Sequence, residues 1–166
     1  PDSMETLTWA RRRLVFDEFF LFLMTMQLQK NGEEKQLNPH RFDKPTEVEA
    51  YIEKLPYVLT RAQRRTLDEI LKDMQGDVLM QRLIQGDVGS GKTIVAFLAM
   101  LYASDNGFQS AIMAPTEVLA RQHEQSFLEL CERFGIDKTI VLLTGSMTAK
   151  QKREARARIA AHRDAL

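Results

Sequence analysis

The sequence predicts an α/β fold: a parallel sheet with flanking helices, preceded by one long helix. Three observations predict it. Residues 86–93 read Gly86-Asp87-Val88-Gly89-Ser90-Gly91-Lys92-Thr93, the G-x-x-x-x-G-K-[ST] spacing of a phosphate-binding loop. A short apolar run (80–84) leads into that loop and a buried-helix pattern (94–102) leaves it, the strand–loop–helix context the motif needs. Beyond it, apolar runs at 110–114 and 139–143 alternate with helix-length amphipathic stretches, which implies right-handed crossovers and parallel strands. Before it, residues 4–30 contain neither glycine nor proline and read as a single helix.

Bulk properties narrow the function classes. The 166 residues carry 23 Lys+Arg against 23 Asp+Glu, so the chain is no polycation. Any nucleic-acid contact must come from local patches. Cys131 is the single cysteine, which excludes an internal disulfide and fits a reducing compartment. No small-residue cleavage site follows the basic cluster Arg11-Arg12-Arg13. The apolar stretch 19–26, bracketed by Asp17, Glu18 and Gln27, is too short to cross a membrane. A cytoplasmic protein without a membrane partner is expected.

The elements follow in order. Ser3 is the expected N-cap of the first helix, and Asn31-Gly32 its stop. From Leu14 to Leu28 apolar residues nearly encircle it, so it needs cover on more than one side. Other parts of the protein, or a separate partner, would supply that cover. Residues 31–45 read as loop. Thr46 and Glu49 form a capping box for a short helix to about Leu55, stopped by Pro56. Thr60 and Gln63 form a second box, opening a helix to about Met74 with Ala62, Leu67, Ile70, Leu71 and Met74 inward. Residues 117–134 form the helix after the second strand, with Val118, Leu119, His123, Phe127, Leu130 and Cys131 in its apolar pattern and Gly135 as its C′ residue. Thr144-Gly145-Ser146 turns the third strand into a last helix from about Ala149. That helix is basic, with Lys150, Lys152, Arg153, Arg156, Arg158 and Arg163, usable on phosphates or simply solvated. Arg61, Arg64 and Arg65 form a smaller cluster with the same two readings.

The loop's chemistry is the most specific feature. Its glycines let the backbone wrap a phosphate, with successive N–H groups and a helix N-terminus aimed at the anion. Lys92 is expected to reach the β/γ-phosphates of ATP, and the Thr93 hydroxyl to hold Mg²⁺. The Gln63 side-chain amide both donates and accepts, so it can pair with N6 and N7 of adenine while also serving the helix cap. No Asn-Lys-x-Asp element marks a guanine reader, which sets aside a GTP switch.

Four stretches taken together carry a resemblance: Leu59-Thr60-x-Ala62-Gln63, the loop from Gln85 to Thr93, Ala114-Pro115-Thr116-Glu117-Val118-Leu119-Ala120-x-Gln122-His123, and Leu142-Leu143-Thr144-Gly145-Ser146. The set resembles the RecG-type branch of superfamily-2 DNA helicases. Residues 11–20 also resemble the helix that joins that family's wedge domain to its motor. The resemblance implies that residues 57–166 are the first part of a RecA-like lobe and that 1–56 are a linker helix and loop. It implies an ATP- and Mg²⁺-dependent motor that remodels stalled forks and four-way junctions in recombination and repair. By matching position, Gln63 reads adenine with Tyr57 near the base, and Gly86, Asp87, Val88, Gly89, Ser90, Gly91, Lys92 and Thr93 hold the phosphates. Thr116, Glu117, Arg121, Gln122, Thr144, Gly145 and Ser146 lie along the DNA. The family's acidic Asp-Glu-x-His strand end does not occur after Lys92, so these residues alone are expected to bind adenine nucleotide weakly at best and not to turn it over. A second motor lobe and a wedge domain are the expected partners. Open sheet edges predict edge-paired or swapped oligomers. The alternatives are a transcription-repair coupling translocase, which shares the middle motifs, and a non-catalytic module built on the first helix.

Overall fold

The computed structural model describes residues 3–32, 36–43 and 47–166. The chain divides into two compact units, Pro1–Leu37 and Asn38–Leu166. The first unit is essentially one helix, α1 (Met4–Gly32). Its start is capped as expected: the Ser3 hydroxyl accepts the Thr6 N–H at 3.2 Å, and the Ser3 carbonyl accepts the Leu7 N–H at 3.1 Å. The helix runs through Asn31 and Gly32, the expected stop. Its apolar side chains stand exposed, Phe19 at 63 % and Leu23 at 61 %.

The described residues of the second unit hold five helices: α2 (Val48–Glu53), α3 (Arg61–Met74), α4 (Lys92–Asp105), α5 (Glu117–Phe134) and α6 (Ala149–Ala161). The starts of α3, α5 and α6 can each be traced to a side-chain cap. Thr60 and Gln63 form the expected capping box on α3, and Thr148 with Gln151 forms another on α6. Thr116 caps α5, and Gly135 ends it in the left-handed conformation (φ 69°) that a side chain resists. The expected box at Thr46 lies outside the described residues; Glu47 occupies the N-cap of α2.

The core gathers around α4, which is apolar on all sides and packs against α2 and α3. Phe97, Leu98, Leu101 and Tyr102 are fully buried there. Phe97 stacks on Phe127 of α5 at 4.3 Å, and Tyr51 of α2 on Phe134 at 5.3 Å. On α3, Leu67 and Ile70 are buried and Leu71 and Met74 pack on the cluster, whereas Ala62, expected inward, is exposed. Cys131 is buried, which pushes its thiol pKa up to about 11 and leaves it unreactive.

The predicted parallel sheet is not formed. The described residues contain no strand longer than an isolated bridge, so the α/β expectation is corrected to a helical fold. The reason lies in the hydrogen bonds. A strand exists only as a member of a ladder, with neighbours about 4.8 Å away across paired main-chain groups. Residues 110–114 and 139–143 are extended in sequence pattern but do not pair with each other. Instead the Ser110 N–H donates to the Ala165 carbonyl, the Val141 N–H to the Leu166 carbonyl, and the Leu166 N–H to the Thr139 carbonyl. Between the two segments lies an apolar cleft of about 530 Å³ lined by Ile112, Ala114, Phe127 and Ile140. With no sheet against α5, Val118 and Met113 stay exposed at 66 % and 96 %. The sheet edges on which edge-paired oligomers were expected are likewise missing from the described residues.

Candidate nucleotide and nucleic-acid site

The phosphate-binding loop is built by its own glycines. Gly89 and Gly91 hold φ of 80° and 78°, a region that strains any residue with a Cβ. Gly91 is the N-cap of α4 and offers no side chain to cover the helix end. Within the loop only the Ser90 N–H is tied down, to the Asp87 carbonyl at 3.2 Å. Among the described residues the N–H groups of Val88, Gly89 and Gly91 meet no hydrogen-bond partner, so the loop presents open donors beside a helix N-terminus.

Lys92 folds into this cradle rather than away from it. Its Nζ donates to the Gly86 carbonyl at 2.8 Å, the Asp87 carbonyl at 2.7 Å and the Ser90 hydroxyl at 3.4 Å. A cation resting on main-chain carbonyls can swing to phosphate oxygens without crossing an apolar barrier. Thr93, the next residue, opens onto a shallow groove shared with Arg121, Gln122, Gln125 and Ser126 of α5.

Gln63 reaches the loop from α3. Its Oε1 accepts the Thr60 N–H at 2.8 Å, closing the capping box, and its Nε2 donates to the Ser90 carbonyl at 2.8 Å. A Cβ built on Gly91 would lie 2.2 Å from that nitrogen, so Gly91 is needed for this approach as well as for its φ. One amide therefore joins the start of α3 to the phosphate loop. Tyr57 is half exposed. Of the nearby arginines, Arg64 is occupied by Glu49 and by Asp68, which hold its guanidinium charged.

The residues expected along nucleic acid fall in a second cluster. Thr116 accepts the Leu119 N–H at 3.3 Å, a plain N-cap bond that leaves its hydroxyl hydrogen free to donate. Glu117 links two stretches: its Oε1 accepts the Ser146 hydroxyl at 2.6 Å and the Arg121 guanidinium at 2.8 Å. The Ser146 bond, then Arg121, hold the Glu117 carboxyl below the usual carboxylate range. Thr144 is buried, and its hydroxyl lies 3.3 Å from that of Ser146. Thr116, Glu117, Arg121, Thr144 and Ser146 are thus brought together. Gln122 lies instead on the groove with Thr93. The His123 ring stacks on Phe127 at 5.9 Å.

Two contacts that shape this turn were not read from the sequence, although Lys152 was named there as part of the basic last helix. Lys152 donates to the Gly145 carbonyl at 2.8 Å, fixing the turn from the first helical turn of α6. The Thr144 N–H donates to the Met147 sulfur at 3.3 Å. The Thr148–Gln151 capping spacing was a visible signal for the first, since it fixes the phase of α6 and so the direction of Lys152. Nothing local announces the second. No cluster of possible metal ligands occurs among the described residues. None of the described helices is long and apolar enough to cross a membrane.

A glycine loop with open amides, a lysine laid into it and a glutamine reaching it from the preceding helix define a P-loop nucleotide-binding protein. The model of the DEAD/DEAH box helicase family matches residues 60–162, and the chain belongs to that family. Its relatives include the ATP-dependent DNA helicase RecG of Aquifex aeolicus, 46 % identical over 86 % of this chain and 18 % of its own length. RecG of Bacillus subtilis is 44 % identical over 97 % of this chain and 24 % of its own, and RecG of Staphylococcus aureus 42 % over 92 % and 22 %. The resemblance to RecG-type helicases is borne out. The chain spans about a fifth of the length of these curated relatives.

Proposed function

We propose that this chain is the ATP-binding portion of an ATP-dependent DNA helicase or translocase that acts on branched DNA, stalled forks and four-way junctions, in cytoplasmic recombination and repair. The observation that carries the reading is the contact between Gln63 and the Ser90 carbonyl, which sets an adenine-reading amide beside a phosphate cradle. Bound ATP with Mg²⁺ supplies the free energy of the motor. Gly86, Asp87, Val88, Gly89, Ser90 and Gly91 wrap its phosphates with main-chain N–H groups. Lys92, now on the Gly86 and Asp87 carbonyls, would hold the β/γ-oxygens, and the Thr93 hydroxyl would be the chain's ligand to Mg²⁺. Gln63 keeps its bond to the Thr60 N–H or exchanges it for the adenine edge.

On the DNA side, Thr116, Arg121, Gln122, Thr144, Gly145 and Ser146 meet phosphate oxygens with hydroxyls, N–H groups and one guanidinium. These are contacts that position a duplex without reading bases. Glu117 sets the spacing between the two stretches. A second motor lobe and a wedge domain complete the machine. The RecG relatives favour this reading over a transcription-repair coupling translocase.

Nucleotide titration tests the reading. The chain is expected to bind ATP and ADP at least about tenfold tighter than GTP, since one lost bidentate amide–base pair costs ~1–3 kcal/mol. Gln63→Ala is expected to erase that preference. Equal affinity for ATP and GTP in the unaltered chain contradicts it.

A further inference from the structure

The charges of α6 are sorted by face. At helical spacing Lys152, Arg153 and Arg156 share one side, while Lys150, Glu154 and Arg158 share another. On the second side Lys150 lies 3.9 Å from the Glu154 carboxylate, and Arg158 reaches the Ile140 carbonyl at 3.5 Å. Ala155 faces the interior, buried, with Ile159 half-buried one turn on. The first side carries no acid. Arg153 and Arg156 are exposed there, and among the described residues neither has an ion pair or hydrogen bond. Lys152, half-buried at the base of this face, is bonded to the Gly145 carbonyl at 2.8 Å. The cationic face is therefore continuous with the Thr144–Gly145–Ser146 turn.

We propose that the Lys152–Arg153–Arg156 face of α6 binds the phosphate backbone of duplex nucleic acid, extending the 144–146 turn into a longer, sequence-independent track. This rests on the reading of that turn as a backbone contact. Three features choose the partner. Residues one helical turn apart place their side chains about 5–6 Å apart, within reach of successive phosphates on one strand. Hydroxyl and N–H donors at the turn match phosphate oxygens in the same line. Residues 144–163 contain no Phe, Tyr or Trp, so the surface offers no platform for stacking the bases of a single strand. Because the chain is neutral overall, this local face, rather than bulk charge, is what concentrates phosphates.

The test is the salt dependence of binding to a 30-base-pair duplex by fluorescence anisotropy, about 50 to 200 mM salt. Replacing both arginines (Arg153→Ala with Arg156→Ala) is expected to weaken binding about tenfold or more and to lower the slope of log affinity against log salt by about two, one for each phosphate released. The charge-keeping pair Arg153→Lys with Arg156→Lys retains the slope, and Lys150→Ala on the other face leaves it unchanged. If the alanine pair binds with an unaltered slope while Thr144→Ala with Ser146→Ala weakens binding, this proposal falls and the DNA reading stands. If the lysine pair loses binding as the alanine pair does, the effect is structural and the proposal falls. If the unaltered chain binds polyglutamate but not duplex, both readings fall.

Discussion

The two candidate sites sit at the ends of helices, yet they are opposites in how their polar groups are occupied. At the start of α4 the loop amides of Val88, Gly89 and Gly91 are open, and the cation that closes the cradle rests on carbonyls it can leave. At the start of α5 the groups are engaged with one another: Ser146 and Arg121 both donate to the same Glu117 oxygen, and Lys152 donates to Gly145. The first site is preorganised for an anion and needs little rearrangement. The second must exchange partners before its donors can meet a phosphate. Nucleotide binding should therefore be sensitive to backbone and lysine changes, whereas DNA binding should be tuned by the acid that holds its donors.

The largest effect is expected for Lys92→Ala. Removing a charge-assisted donor at ~1.5–3 kcal/mol should weaken ATP binding by about a hundredfold, measured by calorimetry, with duplex binding unaltered. Gly91→Ala comes next. A left-handed φ costs a side chain roughly 1–2 kcal/mol, and its Cβ would displace the Gln63 nitrogen. ATP affinity should fall about tenfold and the thermal midpoint by a few degrees, while Gly145→Ala, in open space, leaves both unchanged. Smaller still, and opposite in sign, is Glu117→Gln. It removes a negative charge from the phosphate path and frees Ser146 and Arg121, so duplex binding at low salt should tighten about threefold. Weaker binding would show instead that the spacing set by Glu117 matters more than its charge.

The smallest effect is on pH. The folded-state pKa of Glu117 is depressed, so its link to Ser146 and Arg121 is fully present above the ordinary carboxylate pKa, about 4.3. The link is lost as pH falls through the lower folded value. Denaturant titrations should give the same stability difference between the native chain and Glu117→Gln at every pH above about 5, narrowing only in acid. A difference that changed near neutrality would contradict this.

Helix α4 and helix α1 show where sequence reading holds and where it stops. Both are apolar on nearly all sides, and both were legible as helices because propensity, caps and the absence of breakers are local. The burial of 94–102 was legible as well, but which residues cover each helix was not. α4 is buried among Phe127, Leu67 and Tyr51, while Phe16 and Phe20 of α1, stacked on each other at 5.9 Å, remain exposed. The strands failed for the same reason. An apolar run such as 110–114 specifies a preference, but a strand needs a partner's main chain, and here Ser110 finds Ala165. The candidate sites were legible where the chemistry is written in spacing, as for Gly86, Gly91, Lys92 and Thr93. The bonds from Gln63 to Ser90 and from Ser146 to Glu117 cross 27 and 29 residues, and no local pattern encodes them.

The open amides of the loop are the centre of this account, and they can be watched directly. Nitrogen-15 correlation spectra recorded while ATP and Mg²⁺ are added should show Val88, Gly89, Gly91, Lys92 and Thr93 shifting together to saturation, with Gly145 and Ser146 unmoved. Loop resonances that stay still while nucleotide shifts residues elsewhere in the chain would contradict it.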